Sequence, residues 1–187
     1  MSFRVLIAED EPLMRMHLKE VLEEQGYAVV GAAKDGQEAL DLIGQEKPDI
    51  VILDIKMPGP DGLEVASKVA QQIPVIILTA YTERHLIKRA KEAGVMAYLT
   101  KPFREKDIDP AIELAVTHFL ERSALTDSVA RLTSELETRK LVDHAKNLLM
   151  TREGLDAVGA YRRLQKTSMD KNKPMREVAE AIILMYG

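Results

Sequence analysis

Short, fully apolar runs alternate with amphipathic stretches through the first part of the chain. The runs centre on five segments, at residues 4–8, 28–32, 50–54, 75–79 and 96–99. Between them, apolar positions recur at the spacing of a helix. Strands that are apolar on both faces are typical of a parallel sheet covered by helices on both sides. The pattern therefore predicts an α/β domain with a five-stranded, parallel, doubly wound sheet.

The pattern changes after Phe103, where strands give way to one long helix. From Asp107 to about Met150 there is no glycine, and Pro110 is tolerable in the first turn of a helix. Within this stretch one set of apolar residues recurs at 4-3-4 spacing: Leu125, Val129, Leu132 and Leu136. Such spacing between charged residues predicts a coiled-coil seam. The alternative is a helix that packs on its own domain, although nothing nearby in the sequence would cover it.

Two shorter helices complete the chain. Gly154 is a natural helix stop, Asp156 can cap a helix at about 157–168, and Pro174 can open a last helix at about 174–186. A small three-helix all-α domain of this size offers little core. We therefore expect it to depend on a dimer or on the first domain.

These patterns predict three parts: a domain at 1–120, a coiled-coil-like linker at 121–138, and a helical region at 139–187 whose first helix begins at about 124. The 187 residues include no cysteine, which excludes disulfides and thiolate metal sites. No signal peptide is apparent, and no apolar run reaches about 18 residues, so we expect a cytoplasmic protein with no membrane partner.

The charge is distributed unevenly between the two halves. Residues 1–123 carry a net charge of −6 and residues 124–187 a net charge of +2. The segment 139–176 alone carries +6. The two halves are therefore expected to meet different partners.

Polar residues stand where the predicted strands end. Glu9 and Asp10 follow the first strand, Asp54 ends the third, Thr79 ends the fourth, and Lys101 follows the fifth. An acidic pair alone could simply favour the start of a helix. In a parallel sheet, however, these strand ends open on one edge, which is where such sheets bind ligands. Together the five residues predict a polar site at that edge.

These residues resemble the receiver domain of two-component response regulators, which has a flavodoxin-like fold. The resemblance covers about residues 1–120. It rests on five features in order: Glu9-Asp10, the Asp-x-x-Met-Pro-x-x-Asp-Gly loop from Asp54 to Gly62, Thr79-Ala80, Tyr98 and Lys101-Pro102. One departure is Glu9, where the family's acidic pair has an aspartate. A longer acid can still reach a metal through water.

The resemblance implies a role for each residue. Asp54 would accept a phosphoryl group from a sensor histidine kinase, with Thr79 and Lys101 contacting the phosphoryl oxygens. Mg²⁺ would be held by Asp10, Asp54 and the backbone carbonyl of Lys56, with Glu9 assisting. Thr79 and Tyr98 would form the switch that responds to phosphorylation. The family also implies that the Lys101-Pro102 bond is cis.

The C-terminal part resembles the ANTAR domain, an RNA-binding antitermination module. The resemblance covers about residues 124–187 and rests on Ala145-Lys146 with the Leu-Leu-Met that follows, on Ala160-Tyr161, and on Met169-Asp170. Two residues depart from the family pattern. Asn147 occupies a position where the family usually has glycine, and Ser168 one where it usually has alanine.

The residues themselves indicate where RNA would bind. Arg162 and Lys166 lie four apart on one helix face with Arg163 beside them, a repulsive arrangement that a phosphate backbone would make favourable. Tyr161 could stack on an unpaired base, although Leu155, Val158, Tyr161 and Leu164 also form an apolar stripe that could place its ring in the core. Lys146 is the best single candidate for an RNA contact.

The sequence therefore predicts a phosphorylation-controlled response regulator, homodimeric when active, that binds structured RNA such as hairpin loops in transcription antitermination. Two alternatives remain: a DNA-binding regulator that reads bases from the helix at 157–168, and a receiver with a protein-docking tail. An enzymatic output is not expected, because the tail has one histidine, no cysteine and no paired acids in a glycine-rich frame.

Overall fold

The computed structural model describes residues 2–80 and 84–187, with side chains left out for residues 84–87. It divides into two compact units, Met1–Ser123 and Ala124–Gly187.

The first unit alternates strands and helices, as predicted. Its strands are β1 (Arg4–Ala8), β2 (Ala28–Ala33), β3 (Ile50–Asp54), β4 (Val75–Thr79) and β5 (Ala97–Thr100). The helices are α1 (Pro12–Glu24), α2 (Gly36–Glu46), α3 (Gly62–Val69), α4 (Arg84–Glu92) and the first part of α5 (Glu105–Glu153). All strand pairs are parallel and the order is β2-β1-β3-β4-β5. The predicted five-stranded, doubly wound fold is confirmed.

The central strands are apolar on both faces because each face packs against helices. Leu6 and Leu53 belong to a core cluster that includes residues of α2 and α3. Their neighbours Ile7 and Ile52 belong to a second cluster that includes residues of α1 and α5. All four side chains are fully buried. Successive residues of a strand point to opposite faces, so neighbouring residues of β3 enter different clusters. Because β3 is the central strand, this packing fixes its carboxyl end in the middle of the first unit.

The predicted start of α5 was wrong by part of a turn. The helix begins at Glu105, so Pro110 lies in its second turn and not in its first. Proline cannot donate the hydrogen bond expected there, which costs helix stability. The earlier turn is held instead by Arg104, whose Nε donates to Asp107 Oδ2 at 2.9 Å. Glu105 and Asp107 also favour the helix N-terminus through their charge.

The second unit contains the rest of α5 together with α6 (Ala157–Lys171) and α7 (Met175–Tyr186). Asp156 caps α6 as predicted, accepting a hydrogen bond from the Gly159 N–H at 2.7 Å. The helix runs three residues beyond its predicted end, and Pro174 is the residue before α7 rather than its first. The buried core is small: Ala145, Leu149, Ala160, Leu164, Val178 and Ala179. Among the described residues, no helix has the length and apolar character that crossing a membrane requires.

Candidate functional site

The sheet brings the predicted acidic residues together at its carboxyl edge. Glu9, Asp10 and Asp54 each place a carboxylate oxygen within 4.8 Å of the others. Glu9 is 1% exposed and Asp54 is 7% exposed, whereas Asp10 is exposed. Three converging carboxylates repel one another, and burial strengthens that repulsion. This arrangement is unfavourable unless a cation offsets it.

Lys101 supplies one such cation. Its Nζ lies 2.5 Å from Glu9 Oε2 and 2.9 Å from Asp54 Oδ2. Burial alone would lower the pKa of Lys101, but the hydrogen bonds from its ammonium to Glu9 and Asp54 raise it. Lys101 is therefore charged at neutral pH. Its backbone N–H donates to the Thr79 carbonyl at 2.8 Å, and the Lys101–Pro102 peptide bond is cis.

Glu9 is the acid whose ionisation is most disfavoured. Burial raises its pKa, and the negative charge of Asp54 adds to this effect. The hydrogen bond and charge of Lys101 act in the opposite direction but do not cancel the rise. When all three carboxylates are ionised, they carry more negative charge than the one positive charge of Lys101, which favours a further cation.

The three remaining predicted residues, Thr79, Tyr98 and Lys56, differ in how far they are exposed to solvent. Thr79 ends β4 and is buried. Tyr98 lies on β5 and is 43% exposed, and partial burial raises the pKa of its hydroxyl. Lys56 lies in the exposed part of the loop after β3. Tyr98 is therefore partly exposed to solvent in this structure.

The loop after β3 approaches Asp54 closely enough to require glycine. A Cβ on Gly62 would lie 2.0 Å from the Asp54 carbonyl oxygen. The Gly62 N–H donates to Ile55, and Asp61 caps α3 with a capping box that includes Glu64. The short loop thus holds Asp54 against the start of α3.

We expect Gly62→Ala to destabilise the first unit, because the methyl group would collide with rigid backbone. Overpacking of this kind costs roughly 1–3 kcal/mol, and backbone contact favours the upper end. Urea denaturation followed by circular dichroism measures the loss in the free energy of unfolding.

Gly44→Ala is the matched control for this prediction. Gly44 lies in α2, and a Cβ there would meet nothing within 4 Å. Alanine in a helix is favoured over glycine by roughly 0.5–1 kcal/mol, so this variant should be slightly more stable. Equal stability of the two variants would show that the close approach at Gly62 is tolerated.

Sequence reasoning missed one residue next to the acidic loop. The Nη1 of Arg15 donates to the Glu9 carbonyl at 2.6 Å and to the Asp10 carbonyl at 3.3 Å. Arg15 follows the acidic pair by five residues, on the first turns of α1. The only signal in the sequence was that short separation on a helix, which does not reveal where the side chain points.

The donor set suits a hard divalent cation. Mg²⁺ prefers oxygen ligands and commonly binds through one or two carboxylates while it keeps several waters. The cluster offers carboxylates of both buried and exposed residues, so a bound ion could keep access to solvent. The acidic cluster is typical of a receiver's Mg²⁺-binding phosphorylation site.

In the second unit, two of the predicted RNA contacts line one open groove. Lys146 of α5 and Tyr161 of α6 lie in a groove of about 520 Å³, together with Arg139, Asp143 and Met175 among others. The Lys146 Nζ donates to Asp143 Oδ1 at 3.1 Å. Arg139 was not predicted, although it lies seven residues before Lys146 on the same helix and hence on a similar face.

The other predicted basic residues lie elsewhere on α6. Arg162 and Lys166 are exposed, four residues apart on the face away from the buried Ala160 and Leu164. Arg163 lies on the opposite flank, with its Nε 3.9 Å from Glu153 Oε2. The structure therefore does not bring all five predicted RNA contacts into one cluster.

Tyr161 is not a core residue. Its side chain is 48% exposed and that of Val158 is 58% exposed, whereas Leu164 is fully buried. The core interpretation of the stripe from Leu155 to Leu164 was therefore wrong for its two middle members. The helix turns its smaller residue, Ala160, into the core, because α5 and α7 pack closely there.

The predicted seam on α5 is uncovered. Leu125, Val129, Leu132 and Leu136 are each more than half exposed, with values of 67%, 62%, 54% and 60%. Further along the same helix, Ala145 and Leu149 are buried against α6 and α7. Four aliphatic side chains in solvent at this spacing form an apolar strip that a partner surface would cover.

Family models match both units. Residues 5–113 match the response regulator receiver domain, and residues 130–183 match the ANTAR domain. The matches fall on the sheet with its acidic pocket and on the helices with the groove that holds Lys146 and Tyr161.

Individual relatives agree with this division. The chain is 50% identical over 186 residues to the transcriptional regulatory protein PdtaR of Mycobacterium tuberculosis, which covers 98% of this chain and 91% of that protein. It is 39% identical over 116 residues to sporulation initiation phosphotransferase F of Bacillus subtilis, covering 60% of this chain and 93% of that one. A signal receiver domain of a modulated diguanylate cyclase from Desulfovibrio desulfuricans G20 superimposes with a TM-score of 0.60 at 32% identity, covering 65% of this chain and 99% of that one.

ANTAR domains mediate RNA-binding antitermination, and a receiver domain implies a kinase partner. Proteins that join these two domains are regulatory and not enzymatic. From its fold, its acidic pocket and these matches, the chain belongs to the response regulators that carry a receiver domain followed by an ANTAR domain.

Proposed function

We propose that phosphorylation of Asp54 controls the binding of structured RNA by the second unit. The observation that carries the proposal is the convergence of Asp54, the acidic pair and the Lys101 ammonium at the carboxyl edge of the sheet. Packing does not explain why two buried carboxylates and an exposed one converge at this edge of the sheet. Phosphoryl transfer does, because it needs a nucleophilic carboxylate beside cations.

The phosphoryl donor would be a phosphohistidine of a sensor histidine kinase. A carboxylate oxygen of Asp54 attacks phosphorus and forms a new P–O bond, while the P–N bond breaks and the imidazole leaves with the electron pair. The Lys101 ammonium lies 2.9 Å from Asp54 Oδ2, which is near enough to contact an oxygen of the transferred group. The Thr79 hydroxyl would donate a hydrogen bond to another.

Glu9, Asp10, Asp54 and the backbone carbonyl of Lys56 would hold Mg²⁺ during this reaction. When bound, the ion would offset the repulsion between Asp54 and the incoming phosphoryl group. Asp10 is exposed and can bind it directly, while buried Glu9 would act through its contact with Lys101 and through water. Lys101 would then exchange a carboxylate partner for the phosphoryl group.

Thr79 and Tyr98 would carry the signal away from the pocket. Once Thr79 engages the phosphoryl group, Tyr98, now 43% exposed, would turn inward. Such a change shifts the receiver between two states, and phosphorylation biases the equilibrium by its contacts with one of them.

The output would be a homodimer joined along residues 121–138. Val129 and Leu136 occupy the a positions of the heptad and Leu125 and Leu132 the d positions, and the pairing of Val129 at a with leucine at d is the combination found in two-stranded parallel coils. In that register Glu135 of one copy would face Lys140 of the other, which places opposite charges beside the seam. A second copy is therefore the partner that fits the exposed strip best.

RNA would bind to the groove that holds Lys146 and Tyr161. A half-exposed aromatic ring beside Arg139 and Lys146 can stack on an unpaired base while the two cations contact phosphates. Glu135 and Asp143 also line the groove, so Lys146 would exchange its contact with Asp143 for a phosphate. Arg162, Lys166 and Arg163 would extend the positive surface along α6. Hairpin loops present both unpaired bases and closely spaced phosphates, so structured RNA is the proposed ligand.

We expect Lys146→Ala and Tyr161→Ala each to weaken binding of hairpin RNA by about tenfold or more. Loss of one base–aromatic stack costs roughly 1–3 kcal/mol, and loss of a phosphate contact also lowers the dependence on salt. Fluorescence anisotropy with labelled hairpin RNA measures both quantities.

Lys171→Ala and Tyr161→Phe are the controls. Lys171 lies in the last turn of α6 and does not line this groove, so its loss removes the same charge elsewhere. Phenylalanine keeps the stacking ring. If Lys146→Ala and Lys171→Ala weaken RNA binding equally, the total positive charge and not a contact in the groove determines the affinity. That result would contradict the assigned contacts.

A DNA-binding output is the rival hypothesis. Exposed Arg162 and Lys166 on α6 could face a duplex. The groove argues against it, because an aromatic ring recessed between two helices suits a base that has left its stack. Preference for duplex DNA over hairpin RNA would favour the rival.

A further inference from the structure

Arg15 reaches from α1 into the backbone of the acidic loop. Its guanidinium donates to the carbonyl oxygens of both Glu9 and Asp10, at 2.6 and 3.3 Å. The side chain is half-buried, so its hydrogen bond to Glu9 is partly shielded from water, whereas the one to Asp10 is exposed. A single side chain thus holds the peptide units of two of the three acids in the pocket.

Glu9 and Asp10 differ in the contacts that they make besides those with Arg15. The Glu9 N–H donates to the Ala33 carbonyl of β2 at 3.1 Å, and Glu9 Oε1 accepts from the Glu11 N–H at 3.3 Å. Glu9 is also packed, being 1% exposed. Asp10 lies on the exposed side of the loop, so the hydrogen bond from Arg15 is a contact that can fix its backbone and thereby the direction of its carboxylate.

Two effects of Arg15 on a bound cation oppose each other. Its positive charge repels the cation, but a half-buried charge that still reaches solvent is partly screened by water and salt. Its hydrogen bonds orient the ligand-bearing loop, and loss of partners that orient metal ligands typically lowers metal affinity about 10- to 100-fold. The directed hydrogen bonds at 2.6 and 3.3 Å make the second effect the larger one.

We propose that Arg15 is a positioning residue that sets the magnesium affinity of the pocket by holding the Glu9–Asp10 loop. This inference rests on the proposed function of the pocket. Arg15 touches neither the ion nor the phosphoryl group and acts through the two acids. Its removal should weaken magnesium binding while it leaves the chemistry at Asp54 intact.

The test is calorimetric titration of the full chain with Mg²⁺. Arg15→Met should weaken binding about tenfold, and Arg15→Lys, which keeps the charge and one donor nitrogen on a shorter side chain, should weaken it less. Lys19→Met is the charge-matched control: it lies four residues later on α1, 3.8 Å from Glu23, and should bind Mg²⁺ within about twofold of the parent.

A kinetic readout separates positioning from a general loss of structure. With acetyl phosphate as donor, Arg15→Met should need about tenfold more Mg²⁺ for half-maximal labelling, with the maximal rate retained at saturating Mg²⁺. Thermal denaturation corrects for the folded fraction, and Arg15→Gln replaces Arg15→Met should the latter fail to fold.

The outcomes separate the positioning role of Arg15 from the proposed function of the acidic pocket. Unchanged or tighter Mg²⁺ binding by folded Arg15→Met, with normal binding by the parent, overturns the positioning role alone. A parent chain that neither binds Mg²⁺ nor accepts a phosphoryl group overturns the proposed function and this inference with it.

Discussion

Asp54→Asn is expected to abolish phosphorylation by acetyl phosphate and Mg²⁺. The parent chain should gain one phosphoryl group, detected as a single mass increment in intact-protein mass spectrometry. The amide cannot act as the nucleophile, and it also removes one of the three carboxylates of the pocket. The expected effect is complete loss rather than a slower rate.

Asp41→Asn serves as the control for this result. Asp41 is an exposed acid of α2, where its Oδ1 accepts a hydrogen bond from Gln37 at 3.0 Å. It should label as the parent does. Labelling of Asp54→Asn at the parent's rate would mean that another residue accepts the phosphoryl group.

Leu132→Asp is expected to abolish dimerisation of the phosphorylated protein. The Leu132 side chain is 54% exposed and lies mid-way along the strip, where a carboxylate in a paired helix would be desolvated without a partner. Burial of a leucine contributes roughly 1.5–3 kcal/mol, and each dimer buries two, so association should weaken by about 10²- to 10⁴-fold. Analytical ultracentrifugation measures the change, and RNA affinity should fall with it.

Ala130→Asp tests whether any charge on this part of α5 would have the same effect. Ala130 is exposed two residues from Leu132 and faces away from the strip. Ala130→Asp carries a helix-propensity cost at least as large as that of Leu132→Asp, so a greater loss of dimer in Leu132→Asp can come only from a paired seam. Dimers that survive Leu132→Asp, or that are lost equally in Ala130→Asp, would contradict pairing along 121–138.

The fold could be predicted because its signals are local. A fully apolar strand such as β3 must be covered on both faces, and parallel strands place their carboxyl ends on one edge. Those two rules were enough to bring Asp54, Thr79 and Lys101 to one site before any coordinates. The exposed strip on α5 was equally readable, since 4-3-4 spacing depends only on helix geometry.

Side-chain direction was not predictable in the same way. Arg15 could have extended into solvent, and only its placement beside the β1–α1 loop turns it onto the Glu9 and Asp10 carbonyls. Tyr161 appeared to belong to an apolar stripe, but the packing of α6 buries Ala160 and leaves the ring half-exposed. The exposure of Tyr161 depends on packing between helices, whereas the direction of Arg15 depends on the local path of the chain from Glu9 into α1.

The ends of the helices were predictable only in part. Pro110 was expected in the first turn of α5, because proline is most readily accommodated there. The contact of Arg104 with Asp107 allows the helix to begin at Glu105. A local rule was thus overridden by a side-chain hydrogen bond that favours the earlier turn.

The central claim is that phosphorylation controls RNA binding, and one titration tests it most directly. Binding of a labelled pool of hairpin RNAs and of duplex DNA would be measured against salt concentration, with and without acetyl phosphate and Mg²⁺. We predict tighter, salt-sensitive binding of RNA over duplex DNA after phosphorylation, with no such gain in Asp54→Asn. RNA affinity that is the same in both phosphorylation states, or absent in both, would contradict the account.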